Sequence, residues 1–304
     1  MIDLHCHTTC SDGTLTPSAL LEKAQAMGIS FLAVTDHDTI QAYGMIRDAA
    51  SEIGIELLCG VELSTHLAGC ERSVHLLGYF AEEPGAIFRE WLEKLQESRM
   101  QRNAVLLSRL QELGVKIEWR EVQALAQRQV GRPHFAAALL QKGYVRSLKE
   151  AFDIYLSEGG KAWVERDEPS LAVAVEMVRR AGGLPSLAHP IRISCDWTFL
   201  EETIRHYAAH GLGALECFHP EHSRDDVWRM CALAEKYGLA MTGGSDFHGA
   251  TKPGIELGTG HEGNLRIPQL VGELFLKMFA ETESSIGHGR AAKTGNPLRE
   301  GALS

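Results

Sequence analysis

The sequence predicts an α/β fold on a mainly parallel sheet, with an all-helical insertion in its middle. Three observations carry this expectation. Short apolar runs alternate with helical patterns over residues 1–80, helical patterns alone fill about 85–160, and the alternation returns after Gly159-Gly160. The expected layout is a first part of the sheet domain over 1–84, the insertion over 85–160 and a second part over 161–281. The segment 282–304 is polar and Gly-rich and is expected to be a disordered tail. A chain of 304 residues can hold one large domain with an insertion, or two domains.

Ile2–His7 reads as the first strand. Thr16-Pro17 then opens a helix, with Thr16 as N-cap and Pro17 in the first helical position, and Gly28 ends it. Residues 31–37, 55–63 and 73–80 read as the next three strands, with a helix at about 39–53. In the insertion, one long helical pattern runs from Ile87 to Gly114, and three shorter ones follow at about 118–129, 133–142 and 148–157. Beyond it, strands are expected at 184–190, 214–218 and 239–248. Helices are expected at about 170–181, 198–210, 223–237 and 267–280. No internal repeat is visible.

Composition narrows the function classes. Hydrophobic residues make up 44% and charged residues 23%, as in ordinary globular chains. No run of 18 apolar residues exists, which argues against a membrane span. The start, MIDLHCH, has neither a basic nor an apolar leader region, so a cytoplasmic location is expected. Seven cysteines at irregular spacing, with no CxxC, suggest packing residues such as Cys59, Cys217 and Cys231. The net charge of −10 disfavours a duplex-binding face but is compatible with a local phosphate pocket. Oligomeric state has no signature in this sequence.

The chemistry gathers at strand ends. The first strand ends in His5 and His7, with Asp12 beyond. The second ends in Asp36-His37-Asp38, the third in Glu62, and the fourth carries His75. Later strands end in His189, in Glu216 with His219 nearby, and in Asp246-x-His248. The carboxyl ends of parallel strands share one face, so these residues converge there. His5 and His7, at i and i+2, point to one side of a strand and can chelate one ion, while Cys6 points to the other side. Imidazole with carboxylate suits zinc, manganese or iron better than calcium. There are too many candidates for one ion, so two or three divalent ions are expected, with Glu62 as a bridge. His66, His206, His210, His261 and His288 lie in helices, loops or the tail and are read as structural or surface residues.

Arg132 and His134 stand at a helix start, where backbone N–H groups and the helix dipole favour anions. A guanidinium adds a two-pronged match to phosphate. The alternative is that Pro133 only opens the helix and Arg132 is a solvated charge. Lys161 and Arg192 are further phosphate candidates. His219 and His222 are candidates for substrate contact or proton donation.

His5-Cys6-His7, Ser11-Asp12-Gly13, Thr35-Asp36-His37-Asp38, Gly60-Val61-Glu62, Val74-His75, Ala188-His189-Pro190 and Gly244-Ser245-Asp246-Phe247-His248 resemble the motifs of the PHP (polymerase and histidinol phosphatase) superfamily. The resemblance spans residues 1–80 and about 163–260. It implies a distorted (β/α)7 barrel and a three-ion site. By that resemblance His5, His7, Glu62 and Asp246 hold one ion. Glu62, His75 and His189 hold a second, and Asp12, His37 and His248 a third.

Gly131-Arg132-Pro133-His134-Phe135, then Tyr155-Leu156 and Gly159-Gly160-Lys161, resemble the TrpH-like subfamily, whose small helical domain covers the barrel mouth. That group includes 3′,5′-nucleoside bisphosphate phosphatases and ribonuclease AM, a 5′-to-3′ exoribonuclease. Their motif after the histidine reads His-Pro-Gly-Arg, whereas this chain has Ile191 in the glycine position.

The expected activity is hydrolysis of a nucleotide's terminal phosphate, foremost the 3′-phosphate of a nucleoside 3′,5′-bisphosphate, by a metal-bridging hydroxide without a protein nucleophile. The alternative is 5′-to-3′ exoribonuclease action on short 5′-phosphorylated RNA. A histidinol-phosphatase-like activity, C–N amidohydrolase chemistry and a non-catalytic metal-binding module rank lower.

Overall fold

The structure, a computed structural model, describes residues 1–70, 73–126, 128–194 and 196–277. Seven strands form one sheet in sequence order: β1 (Ile2–Cys6), β2 (Phe31–Val34), β3 (Glu56–Thr65), β4 (Val74–Phe80), β5 (Leu184–Leu187), β6 (Ala214–Phe218) and β7 (Ala240–Gly243). The sheet curls into a nearly closed barrel. The Asp246 amide donates to the His5 carbonyl at 2.7 Å, and the His7 amide to the Phe247 carbonyl at 2.8 Å. Gly244 makes this closure possible, because a side chain there would collide with His5.

One strand departs from the parallel expectation. β4 runs antiparallel to both β3 and β5. Only residues 66–73 join β3 to β4, too few for the crossover that parallel neighbours need. His75 therefore reaches the mouth from the beginning of its strand, opposite Ser64. A small hairpin, β8 (Ile255–Glu256) with β9 (Gly260–His261), follows the barrel.

The helices α1 (Pro17–Ala26), α2 (Gln41–Glu52), α7 (Leu171–Arg180), α8 (Trp197–Ala209) and α9 (Arg224–Tyr237) accompany the strands. Thr16 caps α1 by accepting from the Ala19 amide, and Gly28 leaves it with φ of 70°. The expected strands 31–37, 184–190 and 239–248 end early, at Val34, Leu187 and Gly243. Just beyond them, Asp38, His189 and Asp246 adopt φ of 55°, 27° and 53°, which no strand can hold. Residues 269–277 form a last helix, α10. The remainder of its expected span and the 282–304 tail lie outside the described residues. No helix among the described residues is long and apolar enough to cross a membrane.

Between β4 and α7 the chain is helical: α3 (Ala86–Glu112), α4 (Trp119–Leu125), α5 (Arg132–Gln141) and α6 (Leu148–Ala151), the last continuing into a π-helical turn at Phe152–Leu156. This segment has its own core, which includes Leu106, Leu110, Ile117, Phe135, Leu139 and Leu156. α3 belongs to two cores. Its Phe88, Leu92 and Leu95 pack with the barrel, and Leu106 and Leu110 with the helical segment. Between those sets the same buried stripe carries Arg99, Arg102 and Asn103.

Candidate metal centre

Glu62, from β3, is the hub of the mouth. Its Oε1 lies 2.7 Å from His75 Nδ1 and 3.0 Å from His189 Nε2. Its Oε2 lies 3.1 Å from His7 Nε2, 3.2 Å from His37 Nδ1 and 3.4 Å from His5 Nε2. One carboxylate thus meets five imidazoles. Asp246 turns Oδ1 toward the same space, 3.5 Å from His7 Nε2 and 3.4 Å from His248 Nδ1. Asp12 faces His248 Nε2 at 3.4 Å, and His7 and His37 at 3.8 Å. All nine residues expected as ligands meet here.

The donor atoms fall into three overlapping groups: His5 with Glu62 and His189; His5 with His7 and Asp246; and His7 with Asp12, His37 and His248. This partition differs from the one implied by resemblance, since His7 also faces Asp12 and His37, while His5 stands beside Glu62 and His189.

The residues fit divalent cations on a physical test. Buried polar atoms normally have partners. Here His5 Nε2, His7 Nε2, His37 Nδ1 and Asp12 Oδ1 are buried without hydrogen bonds, and all sit in this cluster. Burial alone would raise the Glu62 carboxyl, but His75, His37 and His5 outweigh it and hold the group well below the usual range. Asp12 behaves alike, with His37 and His248 opposing burial. Burial would lower His7, yet Asp246, Glu62 and Asp12 raise it to about 9. Burial lowers His37 to about 3 despite Glu62 and Asp12. The site gathers three buried carboxylates, Asp12, Glu62 and Asp246, whose charge cations would compensate.

Residues behind the cluster fix its geometry. Glu216 takes His5 Nδ1 at 2.9 Å and the His189 amide at 2.6 Å. Its carboxylate makes His5 Nδ1 the protonated nitrogen, leaving the Nε2 lone pair for the site. Asp36 accepts from the Thr8 amide, the Thr8 hydroxyl and the Ser11 hydroxyl, which holds the loop carrying Asp12. Asp3 accepts from the Ser245 amide, the Ser245 hydroxyl and the Gly258 amide, and so ties the Asp246 loop to β1. Asp36 and Glu216 were visible as strand-end acids, whereas Asp3, inside an apolar strand, gave no comparable signal.

The phosphate candidates separate. Arg132 and Arg192 both line the cavity above the cluster. Arg132 stacks over Trp163, 5.0 Å from its ring centre. Arg192 bonds Asp246 Oδ2 at 2.9 Å and Glu221 Oε2 at 2.8 Å. His134 is corrected: its Nδ1 accepts the Gly131 amide at 2.9 Å, so the buried ring caps its own helix and does not line the cavity. Lys161 is also corrected. It is exposed in the turn after the π-helical segment and does not line the cavity.

His219 sits behind Asp246, its Nε2 3.4 Å from Oδ2, while Nδ1 accepts the Glu221 amide. It positions a carboxylate. His222 bonds the Cys217 carbonyl through Nδ1 and, with His219, borders a second cavity that Arg224, Asn264 and Arg266 also line. Sequence reasoning missed Lys252, which bonds Asp246 and lines the mouth, and Arg99. It also missed the pairing of Asp38 with Arg99 at 2.6 Å and with Arg166 at 2.9 Å.

Comparison with known proteins identifies the family. The PHP domain family model matches residues 3–143. The chain is 35% identical over 259 residues to the 5′-3′ exoribonuclease Rnm of Escherichia coli (strain K12), covering 84% of this chain and 87% of that protein. It is 31% identical over 263 residues to the 3′,5′-nucleoside bisphosphate phosphatase of Chromobacterium violaceum, covering 84% of this chain and 90% of that one. A Bifidobacterium adolescentis protein assigned as a metal-dependent phosphoesterase superposes with a TM-score of 0.80 at 29% identity, over 91% of this chain and 96% of that one. The motifs at the barrel mouth and these likenesses along most of the chain have one reading: the protein belongs to the PHP family and is a metal-dependent phosphoester hydrolase.

Proposed function

We propose that this enzyme removes the 3′-phosphate of nucleoside 3′,5′-bisphosphates. The observation that carries this reading is a single cavity of about 380 Å³, within the size range of small-ligand sites. Asp12, His37, Glu62, His75, Asp246 and His248 form its floor, and Arg99 and Arg132 stand in its wall. A substrate with two phosphates has use for both regions, one for the scissile group and one for the group that stays.

His5, His7, Asp12, His37, Glu62, His75, His189, Asp246 and His248 would hold two or three divalent ions, with Glu62 shared; zinc, manganese and iron all suit this donor set. Such ions lower the pKa of coordinated water and offset phosphate charge. The protein's own residues orient and bind. Arg192 and Lys252, both on Asp246, present positive charge beside the floor. Arg132, braced on Trp163, reaches the cavity from above. Pro133, Ala136, Leu148 and Phe152 give it an apolar side suited to a nucleobase and to excluding water.

A second reading, 5′-to-3′ exonucleolytic cleavage of short RNA, is favoured by the name of the E. coli relative and would use the same two charge zones. The test is product analysis with manganese supplied. Inorganic phosphate released from adenosine 3′,5′-bisphosphate supports the first reading. Mononucleotides released from 5′-phosphorylated RNA, with the bisphosphate untouched, would replace it with the second.

A further inference from the structure

The cavity bordered by His219 and His222 differs in character from the substrate cavity. It measures about 650 Å³, within the range of small-ligand sites, and shares no lining residue with the mouth. It lies between the turn that follows β6, the start of α9 and the loop at 263–266. Its walls are fixed to one another. Asn264 Nδ2 donates to the Pro220 carbonyl at 2.8 Å, and its Oδ1 accepts from the His261 amide at 2.9 Å, so the loop is tied to the turn.

No carboxylate lines this cavity, but Arg224 and Arg266 do, and neither guanidinium has an ion pair among the described residues. The acids on the adjoining elements are turned to other uses. Asp226, in the first turn of α9, accepts from the Ser223 amide at 2.8 Å and from its hydroxyl at 2.7 Å. Glu221 is held by Arg192, and Asp225 does not line the cavity. The local charge is therefore in positive surplus.

His222 lines the same cavity and is only 8% exposed. Its Nδ1 donates to the Cys217 carbonyl at 2.9 Å, which leaves the lone pair on Nε2, on the other side of the ring. That buried Nε2 has no hydrogen-bond partner, an exceptional state for a buried polar atom. Burial holds the ring below its usual pKa, so it stays a neutral acceptor. An acceptor beside two guanidinium groups calls for a ligand with both a hydroxyl and an anionic group. Phe218, Val227 and Leu265 add an apolar side. His219 faces Asp246 Oδ2 at 3.4 Å from the opposite side, so the cavity backs onto the metal centre.

We propose that this cavity is an accessory site for a small hydroxylated organic phosphate, of the size of a sugar phosphate or a mononucleotide. Arg224 and Arg266 take the phosphate, which matches the guanidinium fork, and His222 Nε2 accepts from a sugar hydroxyl. The site is separate from the substrate cavity and does not depend on which phosphoester is cleaved there.

The test is calorimetric titration of the full chain, carrying its metals, with the 5′-methylenephosphonate analogue of AMP, whose P–C bond resists hydrolysis. Wild type is expected to bind one equivalent more than the double variant Arg224→Gln/Arg266→Gln, or to bind a single equivalent at least about tenfold more tightly. Both arginines are exposed, so the variant should keep its melting temperature and metal content. The 2′,3′-dideoxy form of the analogue, without hydroxyls, should bind wild type about tenfold more weakly at this site. Arg132→Gln, in the substrate cavity, should leave the equivalent in place. The ribose analogue without a base separates the ligand classes: equal affinity assigns the site to a sugar phosphate, and loss of binding assigns it to a nucleotide.

A double variant that binds the analogue as wild type does would overturn the proposal. So would loss of every equivalent in Arg132→Gln, because all binding would then lie in the substrate cavity. Equal binding of the dideoxy form would remove the hydroxyl contact to His222 and with it the ligand class. If the double variant loses affinity only for single-stranded RNA, the cavity is a nucleic-acid track and not a small-molecule site.

Discussion

The floor and the wall of the mouth are built from opposite materials. The floor is imidazole and carboxylate at the ends of barrel strands, with buried lone pairs directed inward. The wall is guanidinium and apolar surface, mostly from the helical segment. The floor suits cations and the wall suits anions, complementary preferences that the proposed phosphoester substrate would meet. In the proposed reading the floor supplies the chemistry and the wall the choice of substrate.

Three perturbations should separate the two zones. The largest effect belongs to the floor. His7→Ala or Asp246→Ala is expected to remove bound metal and lower phosphate release by about a thousandfold or more, read by metal analysis and a phosphate assay. Full metal content with full activity would break the assignment. Next is the wall: Asp38→Asn strands Arg99 and Arg166 and should cost about 3–5 kcal/mol in urea unfolding, with metal content retained. Metal lost at unchanged stability would show that the zones are not separate. Smallest is Glu216→Gln, which removes the charge that sets the His5 tautomer. It should weaken metal binding by about 10- to 100-fold in a competition titration while the fold persists. An unchanged affinity would leave Glu216 a purely structural role.

The zones also differ in how far the sequence reveals them. The strand-end residues of the floor stand out because a polar pair such as His5 and His7 contrasts with an apolar run. The residues of the wall are hidden by helical periodicity. Arg99 and Arg102 occupy buried positions of an α3 stripe whose neighbours are Leu95 and Leu106, but an arginine in a long helix ordinarily reads as surface. Their burial became visible only once two cores were seen to flank them. His134 was misread for a related reason. A histidine at a helix start suits an anion site, but its ring can also cap the helix, and sequence does not distinguish the two. The reversed β4 was more accessible, because the short 66–73 link already excluded a parallel crossover.

The shared helix has one more consequence. α3 passes unbroken from the barrel core to the second core, and from Leu95 to Leu106 it advances about 16 Å at 1.5 Å per residue. Each residue also turns the helix by about 100°. A single deletion between those leucines would rotate everything beyond it by more than a quarter turn, taking Leu106 and Leu110 off their seats. Substitutions along the solvent side of this helix are tolerable, but its length is not free to drift. α3 works as a gauge, and the spacing between floor and wall is written in its residue count.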